Sequence, residues 1–392
     1  MPVLEVLNGI WADSLGSFVA EYALVFVGGC LYGQTMADGK GSRSLAVAFA
    51  NLIRKSKKNQ KFICVLFVPV MYMILNYVGV NGFVIVFTIL YTARDLYQEI
   101  DVPWRFYCYG GAASIAVSFL GGSLYICNLQ LAELCGTPLT AAMGLSIVGF
   151  AVYCLVFLIL AWLDIRKAER RGETFMDTGA PLANRELEKQ NGMPEPLPKT
   201  RYALISMASV IFCAAAFHVL LGLLAGIFLN FLFFRKYMPQ AKKTVTDGIT
   251  QSFSPILNTA ATVGLSSVVA ASSGFQMITE ALSILPPLYF GPTVIVVVTF
   301  ITSAQSGAVE AFAPQAIASM RAAGYSAPVI HRILSVAGFT SAGPNSPGVV
   351  NSTMLTKLPY KQAVPIYLKM SMLPGIAAMI IMSLCVQCGL FH

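Results

Sequence analysis

The sequence predicts an all-α integral membrane protein. Three observations carry that expectation. Only 11% of the 392 residues are charged and 56% are hydrophobic. A soluble domain carries roughly 25% charged residues, so this chain cannot cover its surface with charge and must face lipid. Apolar blocks recur along the whole length and leave no separate soluble domain. The basic residues behind the net charge of +8 gather in short links between those blocks. That is the positive-inside pattern of a membrane protein, not a nucleic-acid footprint.

A span needs roughly 20 apolar residues. Ser17 to Gln34 is the first. A link with Lys40, Arg43, Arg54, Lys55, Lys57, Lys58 and Lys61 follows and belongs in the cytoplasm. Phe62 to Tyr77 crosses back. Gly79 to Thr92 is too short and too polar for a clean crossing. Tyr107 to Cys127 and Pro138 to Trp162 complete the first half, and Arg166, Lys167, Arg170 and Arg171 return the chain to the cytoplasm. Asp164 to Lys199, with "NGMPEPLP", is the one long hydrophilic segment and reads as a flexible tether. Tyr202 to Phe234 holds two spans with a break near His218, and Arg235, Lys236, Lys242 and Lys243 follow. The second half continues with Phe253 to Ala271, Leu285 to Ile301, the short Ser303 to Met320, Ile330 to Ala342 and Ala363 to Leu390.

A shift of about 224 residues carries the spans from Phe62 to Trp162 onto those from Leu285 to Leu390. Ser17 to Gln34 lands on Phe253 to Ala271 with a slightly larger shift. The crossings run in opposite senses, so the expected architecture is an inverted-repeat secondary transporter with broken helices and re-entrant hairpins. Residues 1–162 form the first repeat, 163–201 a cytoplasmic linker and 202–392 the second repeat.

The breakers mark the expected site. "GVNGF" at Gly79 to Phe83 and "TSAQSG" at Thr302 to Gly307 interrupt apolar sequence, and lipid tolerates broken helix only over protein or a water-filled cavity. "LGGS" at Leu120 to Ser123 and "SAGPNSPG" at Ser341 to Gly348 form a second pair, in which Pro344 and Pro347 cannot continue a helix. Glycine admits close backbone approach, and half-helix N-termini favour an anion. The expected substrate-binding residues are Gly79, Asn81, Gly82, Gly121, Gly122, Ser123, Thr302, Ser303, Gln305, Ser306, Gly307, Asn345, Ser346 and Gly348. Ionisable groups inside a membrane are functional candidates, which gives Glu310 and Glu21 to proton coupling. Small-residue stretches also serve helix packing, and "AASSG" at Ala270 to Gly274 fits that reading.

No Walker loop, zinc-protease motif or nucleophile elbow is present. The nine cysteines mostly sit singly in apolar segments, and the Cys385/Cys388 pair has no companion ligands. Neither an enzyme nor a metal or other cofactor is expected. The expected partners are a small organic anion, protons or sodium, the lipid bilayer of the cell membrane and a second copy of the chain. A sodium-coupled carrier of the same architecture, and an integral-membrane enzyme, are the alternatives.

The chain resembles the GntP family of gluconate:proton symporters within the broad ion-transporter superfamily. "PPLYFGPTVIVVVTFITSAQSGAVEAFAP" resembles the family's Leu/Pro-rich helix followed by a T-G-S-x-T-V-A stretch. "FTSAGPNSPGVVNS" stands where the family has H-V-N-D-S-G-F-W, and "NYVGVNGFVIVFTILYTARDL" resembles its E-V-G-F-V-L-L-I-P-L-V-F segment. "GQTMADGKGSRSLAVAFANLI" resembles the stretch after the family's first glycine-rich helix. The P-P-H-P-G-P motif of the family is replaced near Gly121 by "GGSLYI". The resemblance implies proton symport of a small hydroxylated carboxylate such as gluconate. It also implies two helices before Ser17, for which Met1 to Leu15 is too short; an in-frame start upstream of Met1 is the expectation.

Overall fold

The computed structural model describes residues 3–56, 58–77, 82–184, 196–272, 277, 281–282, 284–303 and 305–391, without the side chains of residues 3, 83, 84, 126, 214, 215, 266, 269, 270, 310 and 311. Every regular element among them is a helix. Lipid dictates this: with no water to bond the backbone, each N–H and C=O must find its partner within the segment. Five helical stretches are long and apolar enough to cross a membrane: Leu4–Asp38, Gln60–Tyr77, Met143–Arg170, Val219–Tyr237 and Tyr360–Gln387. Leu155, Phe228 and Ile380 stand exposed on such helices, as a lipid-facing surface requires.

In chain order, α1 (Ala12–Asp38) continues back through a π turn at Leu7–Trp11. The amphipathic α2 (Gly41–Arg54) occupies what the sequence reading took for a plain basic link. It buries Leu45, Ala46, Ala50 and Ile53, a spacing that keeps them on one helix face. Then come α3 (Gln60–Tyr77), α4 (Gly82–Ile100) and the short α5 (Cys108–Ser114), which runs into a 3₁₀ turn at Ile115–Phe119. The first half ends with α6 (Ile126–Cys135) and α7 (Met143–Arg170).

Beyond the link lie α8 (Thr200–Ala216) and α9 (Val219–Phe234). They part at His218, whose Nδ1 accepts the Leu220 N–H and caps α9. Next are α10 (Ala241–Ala270), α11 (Pro287–Thr302) and α12 (Gln305–Ala322). The chain closes with α13 (Ala327–Ser335), a 3₁₀ turn at Val336–Thr340, α14 (Pro347–Thr356) and α15 (Tyr360–Gln387).

The elements recur at nearly constant spacing. The 3₁₀ turns begin at Ile115 and Val336 and end at Phe119 and Thr340, 221 residues apart at both ends. Helices α6 and α14 have 10 residues each, again 221 apart at both ends. Helices α7 and α15 have 28 residues each. The packing of related elements is not the same in the two halves. Helix α1 runs along α10 and lies against α4, whereas α10 lies against α14. Helix α7 packs on α15, and α8 on α9. Asn230 joins α8, α9 and α1: it accepts from Ser206 Oγ at 2.6 Å and donates to Thr35 Oγ1 at 3.0 Å, the polar glue expected where helices meet in lipid.

The flexible tether expected over Asp164 to Lys199 is corrected over its described part. Helix α7 runs on to Arg170. Beyond it Arg105 pairs with Glu173 at 2.7 Å, and the Phe175 N–H donates to Asp101 Oδ1 at 2.9 Å. The buried Phe175 ring packs on Trp104. The Asn184 N–H donates to Gln98 Oε1 at 2.9 Å. One buried aromatic and three polar partners tie this stretch to the end of α4 and the segment that follows it. Residues 185–195 lie outside the described residues.

Candidate functional site: a cavity at four helix starts

The polar interruptions end helices and start new ones. Helix α11 stops at Thr302, and its C-cap Ser303 takes a left-handed conformation (φ 54°) before α12 begins at Gln305. Ser303 Oγ donates to Asn345 Oδ1 at 2.8 Å, and Asn345 Nδ2 donates to the Ile301 carbonyl. Asn345 therefore ties the α11–α12 break to the segment before α14. Ser346 is the N-cap of α14 and accepts from the Val349 N–H, with Pro347 next. That pair is a strong helix-start signal, because a hydroxyl satisfies an orphan N–H and proline has none to waste.

In the first half Leu120 follows the 3₁₀ turn in extended conformation, and Gly122 lies two residues on at φ 81°. A side chain there would be strained. The chain then reaches Tyr125, the residue before α6.

These starts surround one cavity of about 500 Å³. Gly82 opens α4, Tyr125 precedes α6, Ser303 precedes α12 and Ser346 precedes α14, and all four line it. Helix N-termini carry partial positive charge and unpaired N–H groups. Among the described residues no Lys, Arg, His, Asp or Glu lines the cavity. Its wall adds Tyr72, Asn76, Ser352 and Tyr367, with apolar Val86, Ile115, Leu124 and Leu129. The arrangement can hold an anion with neutral donors and helix ends.

Of the residues picked from the sequence, Gly82, Ser303, Ser346 and Gly348 line the cavity. Thr302 is buried and donates to the Val298 carbonyl at 2.9 Å. Gln305 is buried, accepts from Tyr125 OH at 2.9 Å and donates to the Ser335 carbonyl at 3.3 Å. It is a clamp behind the wall. Ser306 and Gly307 sit on α12 outside the lining. Gly121, Gly122 and Ser123 are also outside it. Their backbone is held by Ser146 Oγ, the Leu139 carbonyl and Asn128 Nδ2 respectively. Glu21 is on the exposed face of α1. Gly79, Asn81 and the Glu310 side chain lie outside the described residues.

Sequence reasoning missed a buried polar hub. Arg332 on α13 is fully buried. Its guanidinium donates to the Ala141 and Leu139 carbonyls at 3.1 Å and to Asn128 Oδ1 at 3.3 Å. His331 Nε2 donates to the same Asn128 oxygen, leaving Nδ1 to accept from Thr137 Oγ1 at 2.7 Å. Among the described residues no carboxylate pairs with Arg332. An ionisable pair within an apolar segment was the available signal. The cavity tyrosines gave none, since at helical spacing they read as core.

No protein-family model matches the chain. The chain is similar to a Bacillus subtilis (strain 168) protein named as an uncharacterized transporter, YxjC. The two are 23% identical over 410 residues, covering 92% of this chain and 85% of the relative. That likeness and the lipid-facing helices support a membrane protein with a transport role. At this identity the likeness does not extend to the GntP family.

Proposed function

We propose that the chain is a proton-coupled secondary carrier of a small organic anion, working as a multi-pass protein of the cell membrane. The carrying observation is the cavity at four helix starts, two from each half, without a fixed charge in its lining among the described residues. Residues 1–162 and 202–392 act as two inverted repeats joined by 163–201, and one rocks against the other around the cavity. The GntP resemblance adds a gluconate-like hydroxycarboxylate as substrate and Glu310, with Glu21 behind it, as the proton-coupling group. Glu310 falls between one and two turns after Gln305 along α12, and a carboxylate at that depth would link protonation to movement of the helix start.

Uptake of a labelled organic anion by proteoliposomes, with an imposed pH gradient and with or without sodium, tests the reading. Accumulation driven by the pH gradient alone supports it. Strict sodium dependence replaces the proton with sodium. Uptake no faster than in protein-free vesicles removes the carrier reading.

A further inference from the structure

We propose that the C-terminal end of α7 holds one anionic phospholipid, its phosphate between Arg166 and Arg170 and an acyl chain along the apolar surface that precedes them. The side chains come from one helix face. Leu155, Ile159, Trp162, Leu163, Arg166 and Arg170 recur at spacings of three and four, which keeps them on one stripe. All six are exposed, whereas Ala161, Ile165 and Ala168 on the opposite side of the helix are buried. The stripe changes from hydrocarbon to cation within one turn of Trp162. Tryptophan is the residue type that sits at headgroup level, with an apolar neighbour on one side and a polar one on the other.

The charged end of the stripe forms an open groove lined by Trp162, Leu163, Arg166, Lys167, Glu169 and Arg170. Three cations stand there against one carboxylate. Arg166 is held in place: its guanidinium lies 5.5 Å from the centre of the Trp162 ring and donates to Asn59 Oδ1 at 2.9 Å, in the link before α3. A planar guanidinium fixed in advance suits a phosphate and loses little freedom on binding it. Its contact with Glu169 is long, 3.5 Å, and leaves most of its charge to a stronger partner. Arg170 follows one turn later. Among the described residues neither Lys167 nor Arg170 makes an ion pair. Unpaired cations at a membrane surface draw anionic headgroups. The apolar stripe adds what a free phosphate could not use, a track for an acyl chain.

The test places the full chain in phosphatidylcholine bilayers with increasing amounts of phosphatidylglycerol bearing brominated acyl chains, and reads quenching of Trp162 fluorescence. Brominated phosphatidylcholine is the reference lipid, and Trp162→Phe gives the background of Trp11 and Trp104. Phosphatidylglycerol is expected to be preferred about tenfold at Trp162. The double change Arg166→Gln and Arg170→Gln leaves Lys167 against Glu169, so the preference should fall to about twofold or less. Arg170→Gln alone breaks no ion pair among the described residues and should cost about threefold. The double change Lys242→Gln and Lys243→Gln removes two exposed cations at the start of α10 and should leave the preference intact. Equal quenching by the two brominated lipids overturns the proposal, as does a preference that survives the loss of Arg166 and Arg170. An equal loss in the Lys242 and Lys243 protein would show general attraction to a basic surface and overturns it too. Inorganic phosphate that abolishes the preference would make the groove a free-anion site and rule out the lipid.

Discussion

Gly338→Ala is the sharpest probe of the wall behind the cavity. Gly338 lies in the 3₁₀ turn before α14, and a Cβ there would stand 1.9 Å from Gln305 Cδ and Oε1 and 2.1 Å from Nε2. The Gln305 amide cannot stay. Moving it breaks the bonds to Tyr125 OH and the Ser335 carbonyl, each worth about 1 kcal/mol net, and overpacking adds roughly 1–3 kcal/mol. The expected loss is on the order of 3 kcal/mol, measured by SDS-titrated unfolding in mixed micelles. Uptake should fall too, because Tyr125 lines the cavity. In a Gln305→Ala background the same change meets an empty space, so the pair should couple by about 1–3 kcal/mol in a double-mutant cycle. Equal effects of Gly338→Ala in both backgrounds would refute the clamp.

Arg332→Gln removes a buried hub whose hydrogen bonds are charge-assisted, each worth roughly 1.5–3 kcal/mol; a loss of monodisperse protein on solubilisation is expected, and a fully stable variant would count against the hub. Asn345→Ala should abolish uptake while membrane insertion persists, with about 1–2 kcal/mol of stability lost because Ser303 and the Ile301 carbonyl lose their partner; normal transport would make the loop packing alone. Glu310→Gln should uncouple pH-driven accumulation and spare exchange, and unchanged accumulation would move the role first to Glu21. Burial pushes the Glu99 carboxyl up, but hydrogen bonds and charge from Arg43 and Arg54 outweigh it and hold it below the usual range. A lowered folded value stabilises the protein above the unfolded value of about 4.3 and is lost as pH falls through the folded one. Glu99→Gln should therefore flatten the acid limb of the stability profile below about pH 4.

Hydropathy and breakers made much of the fold legible. A proline after a serine at Ser346–Pro347, and serines in the middle of an apolar run at Ser303, are local signals, and both mark real helix starts beside the cavity. Gln305 and Gly121 carry the same kind of signal yet face inward to hold the wall. Polarity in an apolar segment announces a hydrogen-bonding task without saying whether the partner is a ligand or a carbonyl. Phe175 shows the converse. One aromatic in a polar link does not stand out in composition, but it finds a pocket beside Trp104 and fixes the link. Arg332 and Asn128 are 204 residues apart in sequence, a pairing no local window can see.

Under the proposed inverted repeat, the unequal packing of α1 and α10 acquires a direction in time. Helix α1 leans on α4 in its own half, and α10 leans on α14, the counterpart of α6. Each half thus records a posture the other half lacks. Exchanging the two postures would bring α1 toward α6 and α10 toward α12, and would turn the mouth of the cavity to the opposite face of the membrane. The molecule would then carry, within a single conformation, the coordinates of both ends of its cycle. Cysteine pairs spanning α1 and α6 should cross-link only during turnover; a pair that never forms while substrate moves would show that the two postures do not trade places.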